Sequence, residues 1–149
     1  MKKLKFLLKG ICHPRFLLLL SFFPLTAMSQ QEEGPFKGYL YNDEFEVGMR
    51  INFYDEDIII PGQELFGKMA GFLTKDGSSF YWLMVKADVE GNKAKLLMSN
   101  DYGSEDLRAE LTVDKDSLYE LRHLSGSTLK VPNKGKWQKL PKIMLFKRK

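Results

Sequence analysis

The chain has 149 residues, 23 of them Lys or Arg and 19 Asp or Glu, which is enough for one domain and short for two. Five of those bases and none of the acids fall in residues 1–29, so the remaining 120 residues carry 18 bases against 19 acids, a net charge of −1. The sole cysteine, Cys12, and His13 also fall in that first stretch, which excludes disulfides, thiolate metal sites, a cysteine nucleophile and a multi-histidine metal cage from residues 30–149.

Residues 1–29 read as a secretory leader: a basic region to Arg15, an apolar run over 16–26, and Ala27-Met28-Ser29 before a cleavage point at Gln30. The apolar run is shorter than the roughly 20 residues that a membrane span needs. Cys12 precedes it and has no lipid-attachment context. The expected destination is the periplasm or the cell exterior. Residues 30–35 form a polar linker, and 36–149 a single domain.

From there the chain reads as strands and turns. Residues 36–41 are a short aromatic-rich segment. Over 45–54, Phe45, Val47, Met49, Ile51 and Phe53 alternate with polar residues and glycine, which places five apolar side chains on one face of a strand. A short strand at 57–60 ends at Pro61-Gly62. Residues 61–69 have room for one helical turn, and Gly67 and Gly71 within 66–73 indicate a bulge or tight bend. A turn at 75–79 leads to a strand over 80–88, and Glu90-Gly91-Asn92 is a hairpin turn into a strand over 93–100. After a loop at 101–105, Leu107, Ala109, Leu111 and Val113 alternate with polar residues. A turn at 114–116 leads to a strand over 117–124, Ser125-Gly126 turns the chain into 128–131, a loop covers 132–135, and 142–147 is the last strand.

Eight to ten short strands at this spacing predict an all-β fold. An antiparallel up-and-down β-barrel is the first choice, because closure removes exposed edges, and a β-sandwich is the second. With strand number, the glycine in Phe36-Lys37-Gly38-Tyr39-Leu40 and the closing segment 137–146, the chain resembles the small calycin-like barrels, the architecture of lipocalins and avidins. Gly38-Tyr39-Leu40 lacks the tryptophan of the lipocalin opening motif, so the resemblance implies architecture and no ligand residues. Separately, Ser125-Gly126-Ser127 resembles the start of the inhibitory loop of periplasmic C-type lysozyme inhibitors, which are also small β-barrels.

Candidate ligand-binding residues are the large aromatics Phe66, Tyr81, Trp82, Tyr102 and Trp137, which either wall an apolar cavity that stacks on a sugar ring or a lipid, or fill the core. His123 stands alone on an amphipathic strand and reads as an ordinary strand residue. The acidic loops 55–57 and 101–106 lack the spacing of a calcium loop and read as solvated turns. The string 61–67 reads as a rim loop or a structural corner.

Charge is uneven: residues 30–120 hold nine bases and 19 acids, and 121–149 hold nine bases and no acid. The basic end either meets acidic turns of the same molecule, the last strand lying beside the first, or faces an anionic partner such as lipopolysaccharide or phospholipid. Export and a near-zero net charge argue against nucleic acid. The tail 147–149 is expected to be solvated and frayed.

No Gly-x-Ser-x-Gly motif is present and the histidine is alone, so the chain is expected not to be an enzyme and to need no cofactor or metal. The function expected is an exported binding domain that holds a small apolar ligand or presents its loops to an envelope protein. The alternative is a lysozyme-inhibitor-like protein or an envelope-assembly subunit.

Overall fold

The computed structural model describes residues 34–149. The leader, its cleavage point and most of the linker lie outside the described residues. Twelve strands follow in chain order: β1 (Lys37–Asn42), β2 (Val47–Asn52), β3 (Ile58–Ile59), β4 (Lys68–Met69), β5 (Gly71–Lys75), β6 (Trp82–Glu90), β7 (Lys93–Asn100), β8 (Asp106–Val113), β9 (Leu118–Gly126), β10 (Lys130–Asn133), β11 (Lys136–Lys139) and β12 (Ile143–Arg148). Eight of them close into an antiparallel up-and-down barrel in the order β1-β12-β9-β8-β7-β6-β5-β2. The remaining four form two ribbons, β3-β4 and β10-β11, inserted between consecutive barrel strands. The sandwich alternative is thereby rejected. Among the described residues, no helix is long and apolar enough to cross a membrane.

The period-two pattern sets which face is enclosed. Val47, Met49 and Ile51 on β2, and Leu107, Ala109 and Leu111 on β8, are all buried and belong to one apolar cluster with Trp82, Met98 and Phe146. An eight-stranded barrel is only just wide enough for side chains to fill it, and here they do. One end is plugged by Phe36 stacked on Phe53 with ring centroids 5.6 Å apart, while the Tyr119 hydroxyl donates to the Pro35 carbonyl at 2.6 Å.

The β3-β4 ribbon lies on the outside. Phe72 and Leu83 are cross-strand partners pointing away from the lumen, and Ile60 with Met69 and Tyr81 covers them in a second cluster. The helical turn anticipated in 61–69 is a 3-10 turn at Glu64–Phe66. The β10-β11 ribbon folds across the other end of the barrel. Its Val131 enters the main core, and the Trp82 Nε1–H donates to the Lys130 carbonyl at 2.7 Å, tying ribbon to barrel. A two-residue turn, Lys134 (φ 53) and Gly135 (φ 77), joins its strands, as a tight hairpin requires.

Four features differ from expectation. The strand expected over 45–54 spans only Val47–Asn52, because Glu46 adopts a left-handed φ of 53 and turns the chain back from β1. Ser125-Gly126 is not a turn; β9 runs through it, with Ser125 opposite Arg108 and Gly126 opposite Leu107 beyond a bulge. Residues 132–135 are not an open loop: Pro132 and Asn133 end β10, and the Lys134-Gly135 turn leads into β11. The tail is not frayed. Tyr41 pairs with Lys147 and Leu40 with Arg148, and the Arg148 guanidinium donates to the carbonyls of Lys37 (2.6 Å) and Pro35 (2.9 Å) and to the Tyr119 hydroxyl (2.9 Å). The last strand does lie beside the first, and several basic residues after position 120 meet acids of the same molecule. Lys130 pairs with Glu105 at 3.1 Å, Arg122 with Glu120 at 2.7 Å, and Lys149 with Asp43 at 3.9 Å.

Candidate binding site

The β1-β2, β5-β6 and β7-β8 connections emerge at the end of the barrel that the β10-β11 ribbon covers. Phe80 sits at the centre of this rim. It is 5 % exposed, and its backbone is fixed on both sides: its N–H donates to Ser78 Oγ at 3.0 Å, and its carbonyl accepts from Thr74 Oγ1 at 2.7 Å. Three aromatic rings pack on it. Trp82 meets it edge-on from the core side at 6.1 Å. Trp137, from the ribbon, meets it edge-on at 4.9 Å, and Tyr102, from the β7-β8 loop, lies at 5.8 Å. Trp137 and Tyr102 are 51 % and 76 % exposed, so a buried ring carries two exposed ones. A depression of about 530 Å³ opens between them, lined also by Asp76, Ser78, Ser79, Asn133 and Lys134.

The charges around this depression are largely engaged within the protein. Lys75 Nζ donates to the Phe45 carbonyl at 2.8 Å and lies 3.5 Å from Glu46. Asp76 accepts a hydrogen bond from the Tyr41 hydroxyl. That bond holds the proton on the phenol, and with burial and the nearby carboxylates it pushes the Tyr41 pKa up to about 12. Burial also raises the pKa of neighbouring Tyr39, with Asp76 adding to the effect and Arg50 opposing it. Lys130 Nζ, paired with Glu105, lies 5.4 Å from the Trp137 ring centroid and holds the indole from a second side.

Two buried asparagines shape the acidic loops. At the end of β7, Asn100 Oδ1 accepts from the N–H groups of Ser104 (2.9 Å) and Glu105 (3.3 Å), and its amide donates to both side chains, which fixes the loop that carries Tyr102. At the end of β2, Asn52 organises Asp55 and Asp57 in the same way. Among the described residues, no three His, Cys, Asp or Glu side chains are grouped to hold a metal ion.

The five aromatic residues singled out from the sequence therefore lie in three places. Tyr102 and Trp137 both pack on Phe80 at the rim. Trp82 is fully buried beneath them, joined through Phe80. Tyr81 packs edge-on against Phe72 on the outer wall at 5.2 Å, and Phe66 is exposed on the 3-10 turn. Asp101 links the outer wall to the rim, since its Oδ2 accepts from the Tyr81 N–H and from Gln63 Nε2, both at 3.2 Å. Among the described residues, its Oδ1 is buried without a hydrogen-bond partner. His123 is structural: its Nε2 lies 2.8 Å from the Ser127 carbonyl.

No known family, curated protein or solved structure matches the chain. The likeness to calycin-like proteins stands at the level of architecture, an eight-stranded closed antiparallel barrel. Two further depressions, of about 440 and 650 Å³, run along the outer wall, where Lys93 pairs with Glu110 and Arg122 with Glu120; neither is lined by an aromatic residue. In the sequence Phe80 stands only as one of an aromatic run, not as the hub of the rim, and Asn100 is not marked as the residue that orders its loop. Phe80 heads the run Phe80-Tyr81-Trp82, and the Asn100-to-Ser104 spacing is a turn signal.

Proposed function

We propose that this protein is an exported, non-enzymatic binding module of calycin-like type, whose filled barrel is a scaffold and whose ligand is taken at the rim rather than in the lumen. The observation that carries this reading is the pair of exposed rings, Trp137 and Tyr102, braced on buried Phe80 around one depression. Large rigid aromatics fixed on loops of a stable scaffold provide contact area at little cost in conformational entropy. The volume is within the roughly 300–1,000 Å³ of small-molecule sites. A non-enzymatic role is supported by the engagement of both rim carboxylates, Glu46 with Lys75 and Asp76 with Tyr41. The periplasm or cell exterior is the compartment the leader reading supports.

The test is native mass spectrometry of the protein purified gently from its own envelope fraction, beside the double variant Trp137→Ala/Tyr102→Ala. A bound mass or partner recovered with the wild type and missing from the variant, at unchanged circular dichroism, is the expected result. Equal recovery from both would refute the rim as the binding surface, and turnover of the ligand would refute the non-enzymatic role.

A further inference from the structure

We infer that the ligand class suited to the rim depression is a neutral saccharide, a reading that rests on the rim being the binding surface. A pyranose ring has one face of C–H bonds that lies on the electron-rich face of an aromatic ring, and a perimeter of hydroxyls that need donors and acceptors. The depression offers both. Trp137 and Tyr102 supply exposed aromatic surface, and Ser78, Ser79, Asn133 and Lys134 supply polar groups beside it.

Three further observations favour this class. The indole is held before any ligand arrives, between the edge-on contact with Phe80 and Lys130, so stacking does not have to freeze it. The charges are mostly compensated: Lys75, Glu46 and Asp76 all have partners within the protein, so the site does not ask its ligand to bring a charge. The lining is also too polar for an acyl chain. The apolar atoms that would line a lipid slot are in the sealed core, where Trp82, Val131 and Phe146 are fully buried.

The experiment is a screen of the full chain on a glycan array that carries neutral, uronic-acid, sulfated and phosphorylated oligosaccharides. Hits are titrated by isothermal calorimetry with wild type, Trp137→Ala, Trp137→Phe and Tyr102→Ala, each checked for unchanged thermal melting. The expected result is saturable binding of neutral oligosaccharides that is insensitive to salt. It weakens roughly tenfold in Trp137→Ala and is largely kept in Trp137→Phe, as loss and retention of one aromatic contact require. Binding confined to anionic glycans and abolished by salt or by Lys134→Ala would overturn the neutral class. If no glycan binds while the mass or partner recovered from the envelope still depends on Trp137 and Tyr102, the saccharide inference fails and the rim reading stands. Loss of both kinds of evidence would overturn both.

Discussion

Removal of the Arg148 guanidinium tests how the barrel closes. The seam between β1 and β12 has only two residue pairs in register, Leu40 with Arg148 and Tyr41 with Lys147. Arg148 reinforces it with two hydrogen bonds, to the carbonyls of Lys37 and Pro35 on the entering chain, and a third, to the hydroxyl of Tyr119, ties β12 to β9 on its other side. Each bond contributes about 0.5–1.5 kcal/mol net, and exposure of the carbonyl pair favours the low end, so Arg148→Ala should cost about 2 kcal/mol. At roughly 4 °C per kcal/mol for a domain of this size, melting should fall by about 8 °C. Thermal and urea unfolding by circular dichroism measure both quantities. Arg148→Lys keeps the cation but not the forked donor and should recover less than half of the loss. Lys147→Ala, whose side chain is exposed on the same ladder, should stay within about 0.5 kcal/mol of wild type. A second arm uses Gly38, whose φ of 138 disfavours any side chain and where an added Cβ would overlap Arg148 Nη1. Gly38→Ala should therefore cost more in the wild type than in the Arg148→Ala background. A fall of under about 2 °C for Arg148→Ala, or an equal fall for Lys147→Ala, would refute the pinned seam.

Trp82→Ala should cost about 3–5 kcal/mol in urea unfolding, since it empties the core and leaves the Lys130 carbonyl without its indole donor; a loss of under about 2 kcal/mol would count against Trp82 as the tie between ribbon and barrel. Asn100→Ala should cost about 2–3 kcal/mol and increase amide exchange at Ser104 and Glu105, read by hydrogen–deuterium exchange; protected amides there would contradict the role given to Asn100. For Tyr41, the folded pKa of about 12 lies above the ordinary value of 10.0, so the stabilisation from its bond to Asp76 is complete below about pH 10 and is lost as pH rises through about 12. Ultraviolet titration of wild type against Tyr41→Phe should show one phenol fewer titrating near pH 12, and a missing tyrosine transition near pH 10 instead would sink the assignment.

Most of the barrel was legible because its inward face is written with period two: Val47-Met49-Ile51 and Leu107-Ala109-Leu111 report enclosure through residues two apart. The β10-β11 ribbon was not, because Pro132, Gly135 and four lysines within 130–139 have the composition of a loop, and only the pairing of its two strands with each other makes it sheet. Ser125-Gly126 misled for a related reason. Gly126, at a φ of 88, sits against the Asp106 backbone beyond a bulge, so the glycine serves close approach within a ladder and not a reversal of the chain. The tail misled because three consecutive exposed cations read as frayed, whereas Arg148 holds backbone carbonyls more than a hundred positions away. At the site, Trp82 and Trp137 are alike as letters. Their separation into a buried tie and an exposed face depends on Leu73 and Lys130 as spatial neighbours, which no local pattern contains.

Closure by the final strand also sets an order of events. The other seven barrel strands are contiguous in space without β12, and until residues 143–148 arrive they form a curved open sheet with β1 and β9 as its bare borders. A polypeptide trimmed by a protease within β12 is left with those borders bare. Bare strand borders recruit other chains, so the six residues that complete the ring are also what keeps one copy from templating on the next.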